Sequence, residues 1–306
     1  MHMQLFEAAT PDRVVFKSEL VTIGAFRCHR EHPAFPDSGA IEHDCFVFPR
    51  TAVAIQREHE RAFVANPNVV TFYNRGDQFR RSPISADGDR ADWFSLRRDL
   101  AREVVAGFDP YAADREAPFA RSYAASDPRV YLLQRRLHNA VVRRPAADPL
   151  AVEETVVLLL QRVLEGAARR PAAAAARAEA RHLELADAAR RFISTHFTRP
   201  LTLADIAARL DVSVFHLCRV FQRVTGRTLH EYRNQLRLRW SLEQILARPP
   251  HSLVDCALDA GFSSHSHWGA AFRTAFGETP TQVLASEPPG QPGGQDLAAS
   301  RPRAAR

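Results

Sequence analysis

The sequence predicts an α+β chain of two domains, an antiparallel β-barrel first and an all-helical domain second. Three observations carry this. Residues 10–96 break into short runs rich in Val, Phe and Thr, separated by Pro, Asp, Asn and Gly. After about residue 127 the apolar residues recur at helical spacing. Within the helical part, one pattern of helix, tight turn and helix occurs twice. With 306 residues the chain is long enough for two cores.

Taken in order, "DRVVFKSE", "LVTIGAFRC", "CFVFPRTAVAIQ", "RAFVA", "NVVTFYN" and "ADWFSL" read as the strands. Their even spacing favours a barrel or sandwich. Residues 97–106 read as a short helix. Asp127-Pro128 then starts a helix with Val130, Leu133, Leu137 and Val141 on one face, and Asp148-Pro149 starts another with Val152, Val156, Leu159, Leu160 and Val163 inward. These helices, about 127–165, either cover the barrel or also pair with a second subunit. The first domain is thus 1–167. Residues 168–182, with "ARRPAAAAARAEAR", form an Ala-rich linker, 183–285 the helical domain, and 286–306 a Pro/Gly-rich tail expected to be disordered.

Bulk properties bound the function. Hydrophobic content of 45 % and charged content of 25 % are ordinary for a globular protein. No apolar run approaches the roughly 18 residues of a membrane span, and the first residues lack a signal pattern, so no membrane is expected and a cytoplasmic location is. Net charge is +6, nearly all of it from arginine, with Lys17 the single lysine. That balance hints at a polyanionic partner, and equally at an Arg-rich proteome. Cys28, Cys45, Cys218 and Cys256 show no C-x-x-C spacing, which signals neither zinc ribbon nor redox pair and suits a reducing compartment.

The repeat carries the functional signal. "DIAARLDVSVFHLCRVFQRVTG" fills 205–226 and "DCALDAGFSSHSHWGAAFRTAFG" fills 255–277, with one residue inserted at the second turn. Asp205 matches Asp255, Ala207 matches Ala257, Ser213 matches Ser264, Leu217 matches Trp268, Phe221 matches Phe272 and Gly226 matches Gly277. The alanines are small where two helices cross. Val212 and Phe262 plug the turns. Ser213 and Ser264 are placed to N-cap the second helix of each copy. Gly226 and Gly277 suit the left-handed residue that ends it. A helix that enters a DNA groove has no room for bulk on its leading face, and "SSHSH" offers short hydrogen-bonding groups there. One such hairpin is weak support for DNA binding; two copies joined by "HEYRNQLRLRWSLEQILA" are far stronger.

The runs "LTLADIAARLDVSVFHLCRVFQRVTGRTLHEYRNQLRL" and "SLVDCALDAGFSSHSHWGAAFRTAFGETPTQV" resemble the AraC/XylS family of bacterial transcription regulators over about 183–285. The resemblance implies two helix-turn-helix subdomains reaching successive major grooves of double-stranded DNA. It implies a preceding cupin-like domain that senses an unknown small-molecule effector or makes a homodimer through 127–165. It also implies a regulator, more often an activator, working with RNA polymerase and needing no cofactor. The implied contacts in the first unit are Val214, Phe215, His216, Cys218, Arg219, Gln222 and Arg223. Arg219 is the candidate for a forked bond to guanine, while His216 and Arg223 suit phosphates. Phe215 either presses a thymine methyl or packs on Leu236 or Trp240. In the second unit the contacts are Ser264, His265, Ser266, His267 and Arg273, with Ala270 where relatives carry arginine. His267 also reads as an interior histidine. Residues 181–285 hold 13 arginines and 9 acidic residues, an excess that predicts salt-sensitive binding.

Two further constellations stay open. Cys28, His29, His32, His43 and Cys45 have the donor types of a metal or thiol sensor, without a metal-site spacing. Arg75, Arg80, Arg81 and Arg90 read either as an anion site or as a solvated face. A metal- or thiol-dependent cupin-type enzyme fused to a DNA-binding unit, and an architectural DNA-binding protein, are the competing readings. The first lacks a His-x-His pair with a following Glu in the strand region, and no four-cysteine zinc site can be built from Cys28 and Cys45.

Overall fold

The computed structural model describes residues 11–58, 60–143, 147–168, 180–247 and 252–286. Most of the Ala-rich linker and all but the first residue of the C-terminal tail lie outside these. The described residues of the first part hold nine strands: β1 (Asp12–Lys17), β2 (Val21–Cys28), β3 (Cys45–Pro49), β4 (Val53–Arg57), β5 (Phe63–Ala65), β6 (Val69–Tyr73), β7 (Phe79–Pro83), β8 (Asp89–Leu96) and β9 (Tyr123–Ala125). Helix α1 (Arg98–Ala106) and a 3-10 turn at Pro110–Asp114 stand between β8 and β9. Then follow α2 (Pro128–Arg143), α3 (Pro149–Ala168), α4 (Ala180–His196), α5 (Leu203–Arg209), α6 (Val214–Thr225), α7 (Leu229–Ala247), α8 (Leu253–Asp259), α9 (His265–Phe276) and α10 (Pro280–Ser286).

The strands pair antiparallel, but not into one closed ladder. One sheet runs β1-β2-β8-β3-β6-β9 and the other β5-β4-β7, each with two ends. The expected closed barrel is therefore replaced by two layers. Chain connectivity explains it: β3 leads into β4 and β5 into β6 across short turns, so the small sheet folds over the large one. Between them sit Cys28, Phe35, Cys45, Val53, Ile55, Phe63, Tyr73 and Phe79. Filling this space with side chains removes the need to close the ladder.

The other face of the large sheet buries Phe46, Phe48, Phe72 and Phe94 against α1, α2 and α3. Both expected inward stripes are used within the chain: Val130, Leu137 and Val141 on α2, and Val152, Val156, Leu159, Leu160 and Val163 on α3, are buried, while Leu133 is half-buried at the edge of the α2 stripe. Asp127 caps α2 by accepting from Arg129 N at 2.8 Å, and Asp148 caps α3 by accepting from Leu150 N at 3.1 Å. Among the described residues no helix is long and apolar enough to cross a membrane.

Arg81 departs from both readings of its group. Its guanidinium is buried, donates to the carbonyls of Phe35, Ala34 and Asp37, and pairs with Asp89 at 3.2 Å. It also lies 4.5 Å over the Phe26 ring. It staples the 34–37 loop to the small sheet. Arg75 and Arg80 are exposed. Cys28 and Cys45 are buried between the sheets and His29 faces out, so the sensor constellation is split. No cluster of three metal-ligating side chains occurs among the described residues.

Candidate nucleic-acid interface

Each copy of the repeat folds as its residues predict. In the first, Thr202 and Asp205 form a reciprocal capping box at the start of α5, with Asp205 N donating to Thr202 Oγ1 at 3.1 Å and Thr202 N to Asp205 Oδ2 at 2.8 Å. Ser213 caps α6 by accepting from His216 N at 3.2 Å, and Ser264 caps α9 by accepting from His267 N at 3.2 Å. Gly226 (φ 67) and Gly277 (φ 83) end α6 and α9 in the left-handed conformation. Ala207 and Ala257 are buried at the crossings, and Phe262 fills the second turn.

The turns share a feature that the sequence alignment holds but residue type conceals. Asp211 has φ 53 and Gly261 has φ 87, so equivalent positions take the same left-handed turn. Aspartate tolerates that region poorly but better than most residues. At Gly261 a Cβ would lie 2.3 Å from the Thr198 carbonyl oxygen, so glycine is required for space as well.

The inner stripes of both recognition helices are consumed. Leu217, Val220 and Phe221 on α6, and Trp268, Phe272 and Phe276 on α9, are buried. What remains outward on α6 is Val214, Phe215, Arg219, Gln222 and Arg223, with His216 and Cys218 half-buried at the edge. Phe215 is 77 % exposed, which removes the alternative of packing on Leu236 or Trp240. On α9 Ser264, His265, Ser266, His267 and Arg273 are all exposed, so His267 is not interior. Its ring packs edge-on to Phe262 at 5.7 Å. Ala270 is also exposed, which leaves the middle of this face without a long donor. Residue-type reasoning missed His182 on α4, half-buried, whose ring lies 5.9 Å from that of His216.

Three arginines in α7 are not part of this face. Arg233 donates to the carbonyls of Phe197, Leu201 and Arg199, and Arg237 to that of Phe197 at 2.6 Å. They satisfy the backbone that follows α4. Arg239 is fully buried against the sheet domain. The outward charge of the helical domain is therefore smaller than its arginine count implies.

Two outward-facing recognition helices, each set by a capped tight turn and joined through one long helix, define a paired helix-turn-helix protein. The model of the helix-turn-helix domain family matches residues 206–286. The regulatory protein SoxS of Salmonella typhimurium is 30 % identical over 100 residues, 33 % of this chain and 92 % of SoxS. The HTH-type transcriptional regulator ArgR of Pseudomonas aeruginosa is 33 % identical over 90 residues, but the match spans 29 % of this chain and 27 % of ArgR. A solved transcriptional regulator with an AraC-type DNA-binding domain, from Chromobacterium violaceum, is 30 % identical; the alignment covers 38 % of this chain and all of that one, at a TM-score of 0.33. The chain belongs to the AraC/XylS family of regulators.

Proposed function

We propose that the protein is a sequence-specific DNA-binding transcription regulator, with the sheet domain answering to a small-molecule effector. The observation that carries this is the outward placement of ten of the twelve side chains expected to meet DNA, with His216 and Cys218 half-buried at the edge, on two helices whose opposite faces are buried. Arg219 reads guanine in the first half-site, Val214 and Phe215 press on thymine methyls, and His216, Gln222 and Arg223 hold the flanking backbone. The second unit, with serines, histidines and Arg273, grips phosphate and reads little sequence. Cys218 makes a weak apolar contact.

The effector reading rests on the family and on the cover that the small sheet forms over the large one, a cupin-like arrangement. The family favours an activator acting through RNA polymerase. Self-association through 127–165 would use the outer face of α3, where Leu150 is 63 % exposed and Leu158 38 % exposed, since the faces of α2 and α3 toward the sheet are spent. The reading calls for no catalytic step and no cofactor, and places the protein where the chromosome is.

The test is selection of DNA sites from a random pool on the full-length chain, repeated over a salt series. The expected result is an enriched motif whose guanine preference disappears in Arg219→Ala, with a loss of about 1–3 kcal/mol on the selected site. Binding that falls with salt but enriches no motif would replace this reading with the architectural one.

A further inference from the structure

The hydrophobic cores do not follow the domain boundaries. The first helix-turn-helix unit has a core of its own, drawn only from residues 186–236 and including Ala186, Ile193, Ile206, Leu217, Phe221, Tyr232 and Leu236. The second unit has none that is separate. Leu242, Ile245, Trp268, Phe272 and Val283 belong to one continuous cluster with Phe46, Phe48 and Phe94 of the large sheet and with Val130, Leu137 and Val141 of α2. Polar contacts reinforce that fusion: Arg136 of α2 makes a two-pronged pair with Glu278, at 2.8 and 2.7 Å. The division falls inside α7, between Leu236 of one core and Leu238 of the other.

The contacts between the first unit and the rest are of another kind. Asn66 Nδ2 donates to Ser194 Oγ at 2.8 Å and to Tyr232 Oη at 2.6 Å. Asn68 Nδ2 donates to the Tyr232 carbonyl at 3.0 Å. Arg61 donates to the Ala180 carbonyl at 2.8 Å and Arg237 to that of Phe197 at 2.6 Å. Arg239 braces Asn68 from the other side, donating to Asn68 Oδ1 at 3.0 Å, to the Ser126 carbonyl at 2.8 Å and to Gln235 Oε1 of its own helix at 2.6 Å. Its guanidinium lies 5.4 Å from the centre of the Tyr131 ring, and all its hydrogen-bond acceptors are neutral. Arg239 is fully buried, and burial holds its pKa down at about 9. A buried guanidinium without an acid partner is poor value as a source of stability. Directional bonds from one helix to Asn68 and to the Ser126 carbonyl do something apolar packing does not: they permit one register only.

We propose that the first helix-turn-helix unit is a cooperative body of its own, and that Arg239, with Asn66 and Asn68 opposite, is the positioning group that fixes its pose beside the second unit. The second unit and the sheet domain move as one piece. The first is held to that piece through α7 and a polar seam, and its recognition helix is aimed by that seam. The bearing on DNA recognition rests on the reading above; the division into two bodies does not.

Amide hydrogen exchange on the full-length chain without DNA tests the division. In the unmodified protein the protected amides of α6 should exchange as a separate set, while those of α9 exchange in step with β3 and β8. Arg239→Met keeps the apolar stem and removes the bonds. It should speed exchange across 182–236 by about tenfold and leave α9 and β8 within about twofold. Asn68→Ser, a smaller change, should act the same way more weakly. On DNA, Arg239→Met should bind a duplex carrying the first half-site alone as well as the unmodified protein does, and lose about tenfold on the complete site. Exchange of α6 and α9 in step in the unmodified protein, or acceleration of every segment together in both variants, would overturn the proposal. So would loss of binding to the single half-site, which marks an unfolded reader rather than a misplaced one.

Discussion

Asp211 and Gly261 hold the same left-handed turn with different tolerance. Asp211 is exposed, and glycine there only removes strain, so Asp211→Gly should leave melting within about 1 kcal/mol of the unmodified protein. Gly261 sits against the Thr198 carbonyl and the Arg237 guanidinium. Gly261→Asp, which copies the first unit's residue into the second, should cost about 2 kcal/mol or more, read as a lower midpoint in thermal or urea unfolding. At this scale the sequence was legible where a residue's chemistry is local. Ser213, Ser264, Gly226 and Gly277 took the roles their positions foretold. Arg81 and Arg239 were not legible. Arginine reads as solvated, and only distant backbone carbonyls brought together by folding make its burial tolerable.

At the scale of elements, the recognition helices are short and depend on their ends. Each is a 12-residue helix in which one serine satisfies an otherwise orphaned amide. Ser213→Ala and Ser264→Ala should each cost about 1 kcal/mol of stability, measured by denaturant unfolding. The Ser264→Ala loss should spread to the sheet domain, because α9 shares its core, while the Ser213→Ala loss should stay within the first unit. Helices and strands were legible because their periods lie within one segment. Sheet closure was not. Pairing β6 with β9 spans some fifty residues, and nothing in either strand's pattern names its partner. Strand spacing left barrel and sandwich both open, and the choice of a barrel gave way to two layers for that reason.

For the molecule as a whole, the joint between the sheet domain and α7 is ionic as well as apolar. Asp92 accepts from Arg135 at 2.6 Å, Arg50 donates to Glu243 at 2.6 Å, Tyr131 Oη donates to Glu243 at 2.9 Å, and Arg135 Nε stands 2.8 Å from Glu243. Burial works to raise both carboxyls, yet Arg135 and Arg50 hold them below the usual range. His138 is inside the same cluster. Arg135 donates to its Nδ1 at 3.4 Å, so a neutral ring carries its proton on Nε2, 3.4 Å from Asp92. Burial lowers its pKa from 6.5 to about 4. The unfolded chain therefore takes up a proton on this residue between pH 6.5 and 4 that the folded chain refuses. Stability should fall as pH falls through that window, by about 3 kcal/mol at about 1.4 kcal/mol per pH unit. The carboxyls act in the same direction at lower pH. Melting curves from pH 7.5 to 4 check this, and His138→Gln should flatten the slope. A fragment of 180–286 should bind an apolar-surface dye that the full chain does not, because removing the sheet uncovers Leu238, Leu242 and Ile245.

The two-core division also says where such a protein can be cut and rejoined. A new sensing half grafted ahead of residue 180 would bring a foreign wall to the apolar face of the second unit, and most grafts of that design should yield insoluble chains. Exchanging 180–236 instead carries a whole core across and leaves the other intact. The graft then has to match the polar seam at Arg61, Asn66, Asn68, Arg237 and Arg239 and the close approach of residue 198 to Gly261, and the exchanged piece brings the arginine-bearing reader with it.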